Sequence, residues 1–234
     1  MTLCVKMLQC GVYKVKEVYV LISMNFVTFL SNGNSRSRIR LYIYNMEQLL
    51  TYLGKYGHLT TVDKELIARL VHLFYLEKGQ YFVESGRVCA TLGFVSDGVC
   101  RSCYYDKSGN DFTRYFIYEG RFIGDVNGYL DQSPSLEYIE AITDCTLLTL
   151  SRADFAILET SVAGWSAIFS KLNAQVLENK MKMASNMLVQ DAHTRYLNFL
   201  DHYPGLGNRV PQSMLASFLG ITPSSLSRIR RQVK

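Results

Sequence analysis

Apolar residues recur at helical intervals near both ends of this 234-residue chain, and in short, turn-bounded runs between them. From Met46 to Phe74 the apolar positions Leu49, Leu50, Leu53, Leu66, Ile67, Leu70 and Val71 predict helix, broken near Gly54–Gly57. Thr61 is the expected cap of the second piece, with Lys64 and Glu65 in its first turn. From Tyr75 to Leu150 the spacing changes. Aromatic and β-branched runs alternate with turns at Lys78-Gly79, Ser85-Gly86, Asp97-Gly98, Lys107-Ser108-Gly109-Asn110 and Glu119-Gly120. Strands about ten residues apart predict an antiparallel sandwich or roll. Phe112–Tyr118 alternates poorly, as a strand does when both of its faces meet protein. A long helix is then predicted from about Ala163 to Val189, with two apolar stripes. One is Trp165, Phe169, Leu172 and Val176; the other is Leu177, Met181, Ala184 and Leu188. Such a helix can cover its own domain and also pair with a second copy. The alternative is a helix buried on all sides in a monomer. After Gln190, Ala192, Tyr196, Leu197, Phe199 and Leu200 mark a further amphipathic helix.

The last stretch, Gln212–Lys234, carries the strongest local signal. Leu215, Leu219, Ile221, Leu226 and Ile229 are apolar, Ala216 is small, and Gly220 lies between the halves. A helix-turn-helix needs a small residue where the helices touch and a turn residue that tolerates positive φ. Thr222 suits an N-cap and Pro223 the first helical position. Leu226, Ile229 and Val233 then form the inner edge, leaving Ser224, Ser225, Arg228 and Arg231 outward. A polar, basic face of this kind suits a major groove, because arginine can bond two guanine acceptors and the helix N-terminus favours phosphate. Arg228 is the expected base contact, with Ser224 and Ser225 at the groove edge. Thr222, Arg230, Arg231 and Lys234 are expected phosphate contacts, and Gln212 and Ser213 are candidates from the preceding helix. A hairpin that merely packs on a domain is the competing reading.

Charge sharpens the picture. The net charge is +5, yet no acidic residue follows Asp201, while residues 46–201 hold 14 basic against 19 acidic side chains. An acidic body with a basic terminus points to local contact with a polyanion, here double-stranded DNA. The six cysteines are too sparse for a secreted framework. Cys100 and Cys103 form a lone CxxC in a predicted strand, where that spacing turns the side chains to opposite faces. No metal site and no cofactor is expected, and a cytoplasmic protein with reduced thiols is. His58, His72, His193 and His202 lack metal-ligand spacing, and no catalytic fingerprint is present, so no catalytic residue is assigned and the chain is not read as an enzyme. Val18–Leu30 is too short to span a bilayer as a helix, and no cleavage pattern follows it, so no membrane contact is expected. Residues 1–45 are read as an N-terminal extension, with the folded unit beginning near Met46.

The order of roll, long helix and helix-turn-helix resembles the Crp/Fnr family of bacterial transcription regulators over roughly residues 46–234. The likeness is carried by Phe122-Ile-Gly-Asp125, Ile139-Glu-Ala-Ile-Thr143, Arg195-Tyr-Leu, Arg209-Val-Pro and Leu226-Ser-Arg-Ile-Arg230. It implies an α+β fold: an N-terminal antiparallel β-roll of the double-stranded β-helix or jelly-roll type, a long dimerisation helix and a C-terminal winged-helix-type helix-turn-helix. The residues after the recognition helix are too few for a second wing strand. The expected divisions are residues 46–160 for a sensor-like roll, 161–190 for the dimerisation helix and 191–234 for the DNA-binding part. The resemblance implies a homodimeric regulator on a promoter operator, with RNA polymerase and a small-molecule effector as further partners. Phe122, Gly124, Asp125, Ser135 and Leu136 are the effector-pocket candidates. In cyclic-nucleotide binders of the family a Gly-Glu pair is followed about ten residues later by Arg. Here Asp125 stands for Glu and Ser135 falls at the Arg position. Between Gly124 and Ile142 there is no cation, but Asp125, Asp131, Glu137 and Glu140 are acidic. A cyclic phosphate is therefore expected to meet carboxylates and no counter-charge, so tight binding of cyclic AMP or cyclic GMP is not expected. Cys4 and Cys10 have no nearby third cysteine, which argues against the iron–sulfur cluster of the redox branch. The alternative function is a small-molecule-binding or structural roll with an incidental basic tail.

Overall fold

The computed structural model describes residues 12–15, 18–21 and 35–233. Expectations for Cys4, Cys10 and Lys234 lie outside the described residues. Strands β1 (Val12–Val15) and β2 (Val18–Leu21) pair antiparallel. Helix α1 (Ser35–Gly54) follows and runs across residue 45, so the expected boundary there falls inside a helix. Its Asn45, Met46, Leu49 and Leu53 are buried. Helix α2 (Thr61–Leu70) is capped one residue earlier than its sequence suggests. The Thr60 hydroxyl accepts from Asp63 N–H while the Asp63 carboxylate accepts from Thr60 N–H, a reciprocal pairing that Thr61 cannot make. Helix also ends before Phe74: β3 (His72–Leu76) begins after a single extended residue.

The remaining strands are β4 (Tyr81–Val83), β5 (Thr91–Asp97), β6 (Val99–Tyr105), β7 (Asp111–Tyr118), β8 (Arg121–Ile123), β9 (Tyr138–Ala141) and β10 (Cys145–Ser151). They form two antiparallel four-stranded sheets, in the orders β3-β10-β5-β8 and β4-β9-β6-β7. Their Leu92, Phe94, Val95, Ile117, Ile139, Leu147 and Leu148 belong to one buried apolar core that the flanking helices also join. The chain passes from one sheet to the other at Gly98. Its φ of +103° and the 2.6 Å that would separate a Cβ from Asp144 O and Cys145 Sγ both require glycine. Cys89, Cys100, Cys103 and Cys145 are free and buried.

A short helix α3 (Val126–Asp131) interrupts the strands, and α4 (Arg152–Ser161) leads to the long helix α5 (Trp165–Val189). The first half of α5 buries Trp165, Ile168, Phe169 and Leu172 against the roll. Beyond residue 176 its apolar side chains change position. Leu177 is 56% exposed, Met181 63% and Leu188 87%. Helix α6 (Ala192–His202), a 3-10 turn (Leu206–Asn208), α7 (Gln212–Phe218) and α8 (Pro223–Gln232) complete the described chain. No strand occurs between 191 and 233 among the described residues, so the expected wing is not seen. None of the described helices is long and apolar enough to cross a membrane.

Candidate nucleic-acid interface

The head is built around a small apolar core. Tyr196 and Phe199 of α6, with Tyr203, Leu206 and Val210, meet Leu215, Ala216 and Phe218 of α7, Leu219 just after it, and Leu226 of α8. Ala216 and Leu226 are almost wholly buried, as close approach of the two helices demands. The turn follows the sequence logic. Gly220 has φ +66°, Ile221 N–H bonds Ala216 O, and the Thr222 hydroxyl accepts from Ser225 N–H at 3.2 Å. Pro223 opens α8, and Ile229 and Val233 pack on its inner edge.

This leaves Ser213, Thr222, Ser224, Arg228 and Arg231 exposed, while Ser225 is half-buried beneath the Arg228 guanidinium at 3.3 Å. Two expected contacts turn inward instead. Arg230 donates to Gly207 O at 3.0 Å, and its Nε is buried without a partner, so it ties α8 to the 3-10 turn rather than facing outward. Gln212 donates to Pro223 O and to the Ser227 hydroxyl, clamping α7 to α8.

The head also docks on the roll. Phe116 of β7 stacks among Phe199, Tyr203 and Phe218, with ring centroids 5.3–6.2 Å apart. Poor alternation in β7 has this cause: Tyr115 and Ile117 join the roll core while Phe116 joins that of the head. The Ser217 hydroxyl accepts from Thr113 N–H and donates to Asp111 O. Arg209 grips Glu119 with both terminal nitrogens, at 2.9 and 2.5 Å. Burial pushes the Glu119 carboxyl up, but Arg209 and the Gly98 N–H outweigh it and hold it below its usual range.

The effector-pocket candidates are not brought together as one open site. Phe122 packs against Tyr52, Phe94 and Phe169, joining α1, β5 and α5. Gly124 has φ +136°, and the Asp125 carboxylate caps α3 through Gly128 N–H. The buried Ser135 bonds its own loop through Glu137, whereas Leu136 is 81% exposed. The expectation of carboxylates without counter-charge is corrected here. Strand pairing sets Arg101 directly opposite Glu140, which it binds through two nitrogens, while Arg114 reaches Glu137 from β7. These cations were not visible in the 124–142 segment, because they arrive from other strands.

Residues 73–159 match the family model of the cyclic nucleotide-binding domain. FixK2 from Bradyrhizobium japonicum is similar at TM-score 0.61 and 16% identity, over 70% of this chain and 84% of that one. CLP of Xanthomonas campestris, a c-di-GMP-responsive global regulator, is similar at 0.59 and 16%, over 74% and 91%. A chain assigned to the crp/fnr family from Eubacterium rectale is similar at 0.59 and 18%, over 78% and 87%. No curated protein matches the sequence. With its cyclic nucleotide-binding-type roll, long helix and helix-turn-helix in this order, the chain has the fold of the Crp/Fnr transcription regulators.

Proposed function

We propose that the chain is a sequence-specific DNA-binding transcription regulator that acts as a homodimer in the cytoplasm. The observation that carries this reading is the exposed Thr222–Ser224–Arg228–Arg231 face of a helix whose opposite edge is buried. A two-fold dimer joined along α5 would present two such helices to successive major grooves, the spacing that helix-turn-helix dimers use. Arg228 supplies base contact, Ser224 and Ser225 lie at the groove edge, and Thr222, Arg231 and Lys234 meet phosphates. Ser213 adds a contact from α7. An effector would act by favouring one arrangement of head and roll over another, and RNA polymerase is the partner that reads the result.

The experiment is binding selection from genomic fragments, followed by titration of the selected site. Binding should weaken steeply with salt as counterions are released. Arg228→Ala should cost about 1–3 kcal/mol and relax the preference at one base position. Unchanged affinity and site preference in that variant would count against the assignment.

The proposal extends to the roll, which does not bind cyclic AMP tightly. Ser135 offers a hydroxyl, bonded within its own loop, where a phosphate would need a cation, and the cations nearby already hold carboxylates. Calorimetry on the full chain is expected to give no micromolar affinity for cyclic AMP; a saturable micromolar isotherm would overturn this.

A further inference from the structure

Glu137 enters β9 with its side chain only 9% exposed, and it is fully engaged. Its Oε2 accepts from the Ser102 hydroxyl and from Arg114 Nη1 at 3.2 Å; its Oε1 accepts from the Tyr115 hydroxyl at 2.8 Å. That same hydroxyl accepts from Lys180 Nζ at 2.8 Å, and the ammonium lies 4.3 Å from the Tyr115 ring centroid. The donors therefore come from β6, β7 and the long helix α5. One guanidinium and two hydroxyls converge on this buried carboxylate, with the Lys180 ammonium behind the Tyr115 hydroxyl, and such a donor set suits an anion. Lys180 is itself largely withdrawn from water: burial pushes its pKa down, and the Glu137 charge pulls it part of the way back. A lysine drawn in on the dimer-type helix needs a nearby anion, and the chain supplies one.

We propose that Glu137 is a built-in ligand: its carboxylate fills the donor pocket made by Ser102, Arg114 and Tyr115 and, through Tyr115, draws Lys180 of α5 onto the roll without a diffusible effector. This deepens the reading of the roll as a sensor-type domain. It predicts that removing the carboxylate opens a site for a small monocarboxylate. The tie between roll and long helix is then intrinsic, and an effector that changes it has to displace Glu137 or act elsewhere.

The test uses the full chain, formate as the probe, and chloride at matched ionic strength as the control. Glu137→Ala should melt roughly 2–12 °C lower, because it leaves the buried Ser102 and Tyr115 hydroxyls without their acceptor and Arg114 without its carboxylate. Formate should restore at least half of that loss, saturably, and should leave the parent unmoved. Amide exchange across residues 176–184 should accelerate about tenfold in the variant and slow again with formate. A parent chain stabilised by formate as strongly as the variant would show the position to be vacant. A variant that formate affects no more than chloride would show that no anion site exists. Either result overturns the proposal. Should the alanine variant not fold, Glu137→Gln keeps the shape and removes the charge. Faster exchange over 176–184 is expected there too, and a pattern identical to the parent rejects the built-in ligand. No DNA enters these measurements, so this inference and the DNA-binding reading can fail separately.

Discussion

With Leu177→Glu and Met181→Glu together, the chain is expected to sediment as a monomer at micromolar concentrations where the homodimer proposed for the parent forms. Its affinity for a two-half-site operator will drop about 10²–10⁴-fold, the range by which a second linked contact raises avidity. The positions follow from α5, which has two apolar edges with different fates. Trp165, Ile168, Phe169 and Leu172 are buried by the chain's own roll, whereas Leu177, Met181 and Leu188 are 56%, 63% and 87% exposed. Spacings of four and seven place these three, with the exposed Ala184 between the last two, along one line of the helix. A contiguous apolar line of this length marks a contact surface, and about a two-fold axis each residue faces its own mate. Two glutamates per helix would set four carboxylates in one seam, where desolvation and like-charge repulsion oppose pairing. Neither position touches the roll core, so the melting of the isolated chain should hardly change. A dimer that survives both substitutions would place the contact elsewhere and remove the basis for paired recognition helices.

The parts legible in the sequence were those whose requirements are local. Gly220, Thr222, Pro223 and Leu226 each answer a constraint within one turn of helix, and all four sit as their chemistry demands. The roll was legible from turn spacing for a similar reason, since a strand ends where glycine allows the chain to reverse. What was hidden depended on distant partners. Thr60 takes the cap from Thr61 because Asp63 is in reach to reciprocate. Arg230 and Gln212 look like outward polar residues until a carbonyl of Gly207 and a hydroxyl of Ser227 are placed beneath them. The roll's counter-charges were the largest omission: Arg101 and Arg114 precede the acidic segment in sequence, and only strand register brings them to Glu140 and Glu137. Arg209 and Glu119, 90 residues apart, pair only because Phe116 gives the head an aromatic surface to dock on.

Arg101→Ala is expected to be among the most damaging single substitutions, costing about 3–5 kcal/mol. At about 2–4 °C per kcal/mol for a chain of this size, the melting temperature should fall by roughly 6–20 °C. The Arg101 side chain is 4% exposed and binds Glu140, Asp111 and the Thr113 hydroxyl, thereby joining β6 to both of its neighbours. Truncation strands the Glu140 carboxylate at a mostly buried site and leaves Thr113 without that donor. The damage should also reach the head, because Asp111 O and Thr113 N–H are the two groups that hold Ser217 of α7. Removing the charge on both sides is the discriminating comparison. With Arg101→Leu and Glu140→Leu combined, no buried charge is left unpaired between β6 and β9, and at least half of the lost stability should return. The Thr113 hydroxyl and the partly exposed Asp111 then lack the Arg101 donor, and water can solvate Asp111. If the double variant is as unstable as Arg101→Ala alone, the loss comes from packing or from Asp111, and the cross-strand pair is not what holds these strands in register.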